Sequence, residues 1–232
     1  MSTEQLNIVP FLDNLCGQDN WVAYCINLKR ASERRAQFDA WAKSINLPFK
    51  WWEATDKLTL TPEDYKLCDV WVNGTIQSNG ATACRISHHL LSKHLLQQYA
   101  NVEYFFIFED DAGFKRPAVE QFAELTDFLT AVKGCGGLGW NTLQFGYHDT
   151  GFRKLARFND KVNVVLNCHL AHAQLIHRSQ VDAHVKILED PQSAALPVDW
   201  TYDLLRKFNV SRTLGPINTV IDQVDPTSFI WQ

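Results

Sequence analysis

No stretch of the 232-residue chain is apolar for the ~20 residues needed to span a bilayer, so no transmembrane segment is expected. The opening Met1-Ser2-Thr3-Glu4-Gln5 lacks the basic and apolar regions of a signal peptide, and the expected compartment is cytoplasmic. Positive charge is not in excess: the formal net charge is −4, which argues against nucleic acid as a partner. Six cysteines (Cys16, Cys25, Cys68, Cys84, Cys135 and Cys168) contain no Cys-x-x-Cys pair. Without an export signal they read as reduced thiols rather than a disulfide frame, and the glycosylation sequons at Asn73 and Asn209 as chance matches. The glycines between Gly134 and Gly139 are not followed by Gly-Lys-Ser/Thr, which excludes a phosphate loop there. No linker, composition shift or repeat divides the chain. The expectation is one domain, residues 21–232, after a tail at 1–20.

What is present points to a folded α/β protein, with 46% hydrophobic and 21% charged residues. The chain is organised around Tyr104-Phe105-Phe106-Ile107-Phe108 followed by Glu109-Asp110-Asp111. The apolar run reads as a buried, parallel-type strand. Carboxylates crowded where such a strand leaves the core repel each other, and a divalent cation such as Mg2+ or Mn2+ is the usual compensation. A solvated acidic turn, or ion pairs within the protein, would also satisfy them.

Ahead of this stretch, Trp21–Leu28 reads as a strand, Ser32 as the cap of a helix ending at Asn46-Leu47-Pro48, and Phe49–Glu53 as a second strand. Arg30, Arg34 and Arg35 stand at the strand-to-helix junction, where cations oppose the helix dipole unless an anion such as a diphosphate approaches. For Arg35 a solvated basic face is the plainer account. Thr61-Pro62 opens a short helix, and residues 66–80 read as a loop able to fold over a substrate. A helix is expected from Ala83 to about Tyr99, with Ser87 and His88 near its start facing the sheet edge.

Further along, a helix is expected from Pro117, strands at Thr142–Phe145, Lys161–Asn167 and Ala173–His177, and a helix capped by Ser179. Pro197-Val198-Asp199 starts the last helix, where Asp199 could serve simply as its cap.

These pieces together resemble glycosyltransferase family 25, which includes lipooligosaccharide and collagen galactosyltransferases. Ile26-Asn27-Leu28-Lys29-Arg30 with Arg34 resembles the family's opening segment, and Phe49 to Asp56 the next one. Cys84-Arg85-Ile86-Ser87-His88 resembles its "G-C-x-x-S-H" stretch, and Phe108-Glu109-Asp110-Asp111 its "L-E-D-D". His172–Ile176, Pro197-Val198-Asp199 and Pro216, Gln223 and Ser228-Phe229-Ile230 resemble the later segments, in the same order. Ala83 departs from the usual Gly and Gln174 from the usual Tyr, and Trp71–Asn79 has no counterpart.

The resemblance implies a single GT-A-type nucleotide-sugar-binding domain: a mixed, mostly parallel central sheet flanked by helices. It implies a metal-dependent, inverting hexosyltransferase that moves galactose or glucose from a UDP-sugar to a hydroxyl on a glycan, lipid-linked sugar or protein. Asp111 and Glu109 would hold Mn2+ or Mg2+. Asn27, Arg30, Arg34, Ser87, His88, Glu109 and Asp110 would surround the nucleotide, and Asp199 would be the base, with His148 and Asp149 in reserve. The alternatives are a metal-assisted phosphohydrolase and a non-catalytic sugar-nucleotide-binding module. A zinc site at Cys168, His169 and His172 lacks the usual ligand spacing.

Overall fold

The computed structural model describes residues 5–67, 71–72, 75–76, 79–147 and 154–225. Cys68, Asn73, the reserve pair His148 and Asp149, and the Ser228-Phe229-Ile230 segment lie outside the described residues. In chain order the first half contains α1 (Val9–Cys16), β1 (Trp21–Asn27), α2 (Ser32–Ser44), β2 (Lys50–Glu53) and α3 (Pro62–Leu67). A short hairpin follows, β3 (Trp71–Val72) and β4 (Thr75–Ile76), then α4 (Asn79–Gln98) and β5 (Tyr104–Glu109). Next come β6 (Ala112–Gly113), α5 (Ala118–Lys133), β7 (Thr142–Gln144), β8 (Lys154–Arg157), β9 (Val162–Asn167) and β10 (Ala173–His177). The last elements are α6 (Arg178–Glu189), α7 (Val198–Lys207), β11 (Thr213–Pro216) and β12 (Asp222–Gln223).

Eight strands form one sheet in the order β2-β1-β5-β10-β7-β11-β9-β8, and β12 pairs separately with β6. The α/β class and the flanking helices match the expectation, but the mostly parallel sheet does not. β1 runs parallel to β2 and β5, and β11 to β7; the other four neighbouring pairs in the sheet are antiparallel. An apolar run records burial on both faces, not direction. β10 is buried from Ala173 to Ile176 because helices cover both sides of the sheet, yet it runs against β5 and β7.

Strand alternation divides the core into two layers. Phe106 and Phe108 of β5 point to one face, where they meet Phe38 of α2, Phe128 of α5 and Phe145. Phe105 and Ile107 point to the other, against Leu91 and Leu95 of α4 and Val181 of α6. The first layer is aromatic: ring centroids lie 4.1 Å apart for Phe106–Phe108, 4.8 Å for Phe106–Phe145 and 5.4 Å for Phe38–Phe108. Helix α1, read from sequence as a tail or early helix, seals this layer with Leu12 and Cys16, preceded by buried Ile8.

Three helix starts differ from the sequence reading for local reasons: at α6 the cap is His177, not Ser179, and its ring accepts from Ser179 N. Ala31, not Ser32, caps α2, and it makes no side-chain cap bond. Helix α4 begins at Asn79, because the buried small residues Gly80, Ala81, Thr82 and Ala83 continue the helix against its neighbours. Ser87 and His88 therefore sit in its middle turns instead of at its start.

Candidate active site

The three parallel strands β2, β1 and β5 end on one edge of the sheet. The register places Asn27 opposite Glu53, and Ile26 opposite Glu109. An open cleft of about 650 Å3, measured out to solvent, lies over this edge. Its walls include Arg30, Arg34, Lys57, Cys84, Ser87 and the Glu109-Asp110-Asp111 run, with Gln223 closing one side. Of the sequence-predicted residues, Arg30, Arg34, Ser87, Glu109, Asp110 and Asp111 line the cleft and Asn27 lies on the strand edge beside it, whereas His88 and Asp199 are not among its walls.

The acids are held separately. Asp110 turns inward: Asn27 Nδ2 donates to its Oδ2 at 2.7 Å and Arg34 Nη1 to its Oδ1 at 3.1 Å. Arg34 also lies 3.7 Å from Asp111 Oδ2 and donates through Nε to Asp225 at 2.9 Å. The cations in the first turns of α2 were expected to meet an external anion; three of the protein's own carboxylates already offset Arg34. Arg30 pairs with Asp56 at 2.7 Å across the cleft mouth. Arg35 instead lies over the ring of Trp51, 4.4 Å from its centroid.

Asp111 is the least satisfied of the three. Gln223 Nε2 donates to its Oδ2 at 2.7 Å, while its Oδ1 is buried with no hydrogen-bond partner. Burial, then the Glu109 charge, push its carboxyl up to about 7 against the opposing pull of Gln223 and Arg34. Asp110 is raised as well, by burial, with Asn27 and Arg34 working the other way. A buried carboxylate oxygen left without a donor, on a residue that lines a cleft beside two further carboxyl groups, is a chemical fit for a hard divalent cation. Asp111 with Glu109 would hold it.

Glu109 has a different neighbourhood. His88 Nε2 stands 3.0 Å from its Oε1, and Cys84 Sγ donates to the same oxygen at 3.7 Å. Burial opposes its ionisation, but the His88 hydrogen bond and charge outweigh that and hold the carboxyl below its ordinary value. Behind His88 the hydroxyl of Tyr202 lies 3.4 Å from Nδ1. Cys84 and His88 are four residues apart, one helical turn, so both reach the end of β5 from one face of α4.

Ser87 is occupied structurally: its hydroxyl donates to Ala83 O at 2.7 Å and accepts from Thr55 N at 2.9 Å, which ties the end of β2 to α4. Asp199 is in the first turn of α7, where Pro197 is the cap, and accepts from Trp200 N at 3.0 Å. It is outside the walls of the cleft yet close enough to Glu109 and Cys84 to interact electrostatically, and burial raises its carboxyl against the opposing pull of His169 and the Trp200 amide.

Sequence reasoning did not assign roles to Gln223, Asp225, Tyr202 or Cys84. The first two reach Asp111 and Arg34 from more than a hundred residues away, with no local signal. Cys84 had one: its spacing of one helical turn from His88. The departures from the family pattern are quiet. Ala83 is an ordinary buried helical residue, and Gln174 donates to Gln144 Oε1 at 2.6 Å inside the sheet. Cys168, His169 and His172 do not converge. His172 Nε2 lies 2.9 Å from Ile221 O, His169 pairs with Asp203, and Cys168 packs with Tyr147 and Val165.

A family model described as glycosyltransferase family 25 (LPS biosynthesis protein) matches residues 21–189. No curated protein matches the chain. Among solved structures, one titled "Crystal Structure of A197 from STIV" superposes with a TM-score of 0.47 at 11% identity. That superposition covers 86% of this chain and 82% of the other, and the likeness is too loose to carry an argument.

Proposed function

The chain belongs to glycosyltransferase family 25, and from that premise we propose that it transfers a hexose, galactose or glucose, from a UDP-sugar to a hydroxyl acceptor with inversion. The observation that carries the donor side is the orphaned Oδ1 of Asp111 at the carboxyl edge of three parallel strands. Mn2+ or Mg2+ held by Asp111 and Glu109 would supply Lewis-acid stabilisation of the charge that develops on the departing diphosphate. Arg30, Arg34 and Lys57 line the same cleft, and a diphosphate there would compete with Asp56 for Arg30 and with the acid cluster for Arg34. Asn27 holds Asp110 in place, and Asp110 in turn orients Arg34.

In this reading the acceptor oxygen bonds to the anomeric carbon as the bond to the diphosphate breaks. The acceptor proton passes to Asp199, and UDP leaves. Burial raises the Asp199 carboxyl, which moves it toward the range where a base works near neutral pH. The acceptor belongs to a glycan, a lipid-linked sugar or a protein, and the reaction is placed in the cytoplasm. No described helix is long and apolar enough to cross a membrane.

The test is release of UDP from UDP-galactose and UDP-glucose with Mn2+, alone and with hydroxyl acceptors. Turnover that collapses in Asp111→Asn supports the reading; turnover unchanged by that substitution removes the metal assignment. A second reading is favoured by the Arg34 network, which already neutralises part of the acid cluster: a module that binds the sugar nucleotide without turnover. UDP binding with no product on any acceptor would select it.

A further inference from the structure

Among the described residues, the side chains of Cys84, His88 and Glu109 bring a sulfur, an imidazole nitrogen and a carboxylate oxygen within 4.8 Å of one another. From this juxtaposition we infer that the protein holds a zinc ion at Cys84, His88 and Glu109, with the Glu109 carboxylate shared between it and any hard cation on Asp111.

The argument begins with ligand chemistry. Thiolate, imidazole and carboxylate are the donors of zinc, and a thiolate selects it over Mg2+ or Mn2+. Around a tetrahedral zinc with bonds of ~2.0–2.3 Å, neighbouring ligand atoms stand roughly 3.3–3.6 Å apart. Here Glu109 Oε1 is 3.0 Å from His88 Nε2 and 3.7 Å from Cys84 Sγ. Small side-chain rotations open that triangle onto an ion without moving the backbone. Two donors stand one turn apart on α4 and the third ends a central strand, so rigid elements hold all three.

The surroundings supply what a ligating histidine needs. With Nε2 on the metal, the ring proton sits on Nδ1, where the Tyr202 hydroxyl, 3.4 Å away, can accept it. Cys84 and Glu109 also line the cleft, so the fourth coordination position opens toward it and takes a water or a ligand atom. Starting from a thiol, a neutral imidazole and a carboxylate, the Cys84 thiol gives up its proton to solvent and the imidazole proton moves to Nδ1, so one proton is released per zinc bound.

The experiment is a titration of chelator-treated, full-length protein with Co2+, followed by Zn2+, in weak buffer. The expected result is a thiolate-to-cobalt charge-transfer band with the strong visible bands of four-coordinate cobalt. One equivalent of Zn2+ should displace the cobalt, and zinc added to the metal-free protein should release one proton. Cys84→Ser should lose the charge-transfer band, Cys135→Ser should keep it, and Tyr202→Phe should bind zinc ~10-fold or more weakly. A wild-type spectrum showing only the weak bands of six-coordinate oxygen ligation overturns the site without recourse to any variant. So does a charge-transfer band that survives in Cys84→Ser. The measurement uses neither donor nor acceptor, so its failure leaves the transferase reading standing, and failure of that reading leaves the zinc site untouched.

Discussion

Arg34 places one guanidinium among Asp110, Asp111 and Asp225, and the cluster depends on it more than on any acid. Removing one partner of a buried ionic group strands the rest, at a cost of ~3–5 kcal/mol. Arg34→Met should therefore lower unfolding free energy by about that much in urea titrations, and Arg34→Lys should restore little, since an ammonium cannot span three carboxylates as the planar fork does. His184 makes a different prediction. It is buried and stacked on Tyr202 at 3.9 Å; burial, then the charges of Arg206 and His88, hold its pKa well below 6.5. His172 is lowered too, chiefly by burial. Above pH 6.5 native and unfolded chains agree in protonation at these positions. Below it the unfolded chain takes up protons that the native one refuses, so stability falls as pH falls. Each histidine contributes a slope of up to about 1.4 kcal/mol per pH unit. Denaturation at pH 7, 6 and 5 should show that fall, and His184→Phe, which keeps the stacked ring, should flatten it.

Helix α4 does two jobs, with the cleft residues Cys84 and Ser87 on one face and the buried cation Arg85 on another face of the same turn. Arg85 is fully buried and donates to Leu188 O and Ser193 Oγ through Nη2, and to Leu196 O and Thr201 Oγ1 through Nη1. It therefore fixes the connection from α6 to α7 and, with it, the placement of Tyr202 and Asp199. Arg85→Met leaves buried acceptors unmet at ~1–3 kcal/mol each. Faster amide exchange across residues 188–201 than elsewhere in the variant is the expected signature. Strand β7 ends on a comparable constraint at Gly146. An added Cβ would stand 2.3 Å from Ile221 O and 2.4 Å from His172 Nε2, so Gly146→Ala should be destabilised by several kcal/mol, read as a lowered urea midpoint. How much of this was legible in the sequence follows from range. The apolar run of β5, its trailing acids and the opening strand–helix–strand unit show in local periodicity. The direction of β10, the strands β8 and β11, and the roles of Arg85 and Gly146 do not, because each depends on partners brought close only by the finished fold. Within the site, Glu109 to Asp111 could be read directly, whereas Gln223 and Asp225 could not.

One sheet with helices on both faces makes the cleft and the aromatic layer parts of a single cooperative unit, since Phe106 and Phe108 lead directly into Glu109. Phe106→Ala should cost ~3–5 kcal/mol and reduce ligand affinity only as far as it unfolds the chain. In the other direction, UDP with Mn2+ at about 100 times its dissociation constant should add ~2.7 kcal/mol to native stability, visible as a rise in Tm that Asp111→Asn abolishes. The acids of the cleft are closed by residues 222–225: Gln223 on Asp111, Asp225 on Arg34, and Val224 N donating to Asp111 O at 2.7 Å. During synthesis these stabilising partners emerge from the ribosome some two hundred residues after Arg34. A nascent chain halted before position 222 would carry most of the sheet but an unlatched acid pocket, so the cleft should be completed late and abruptly in translation.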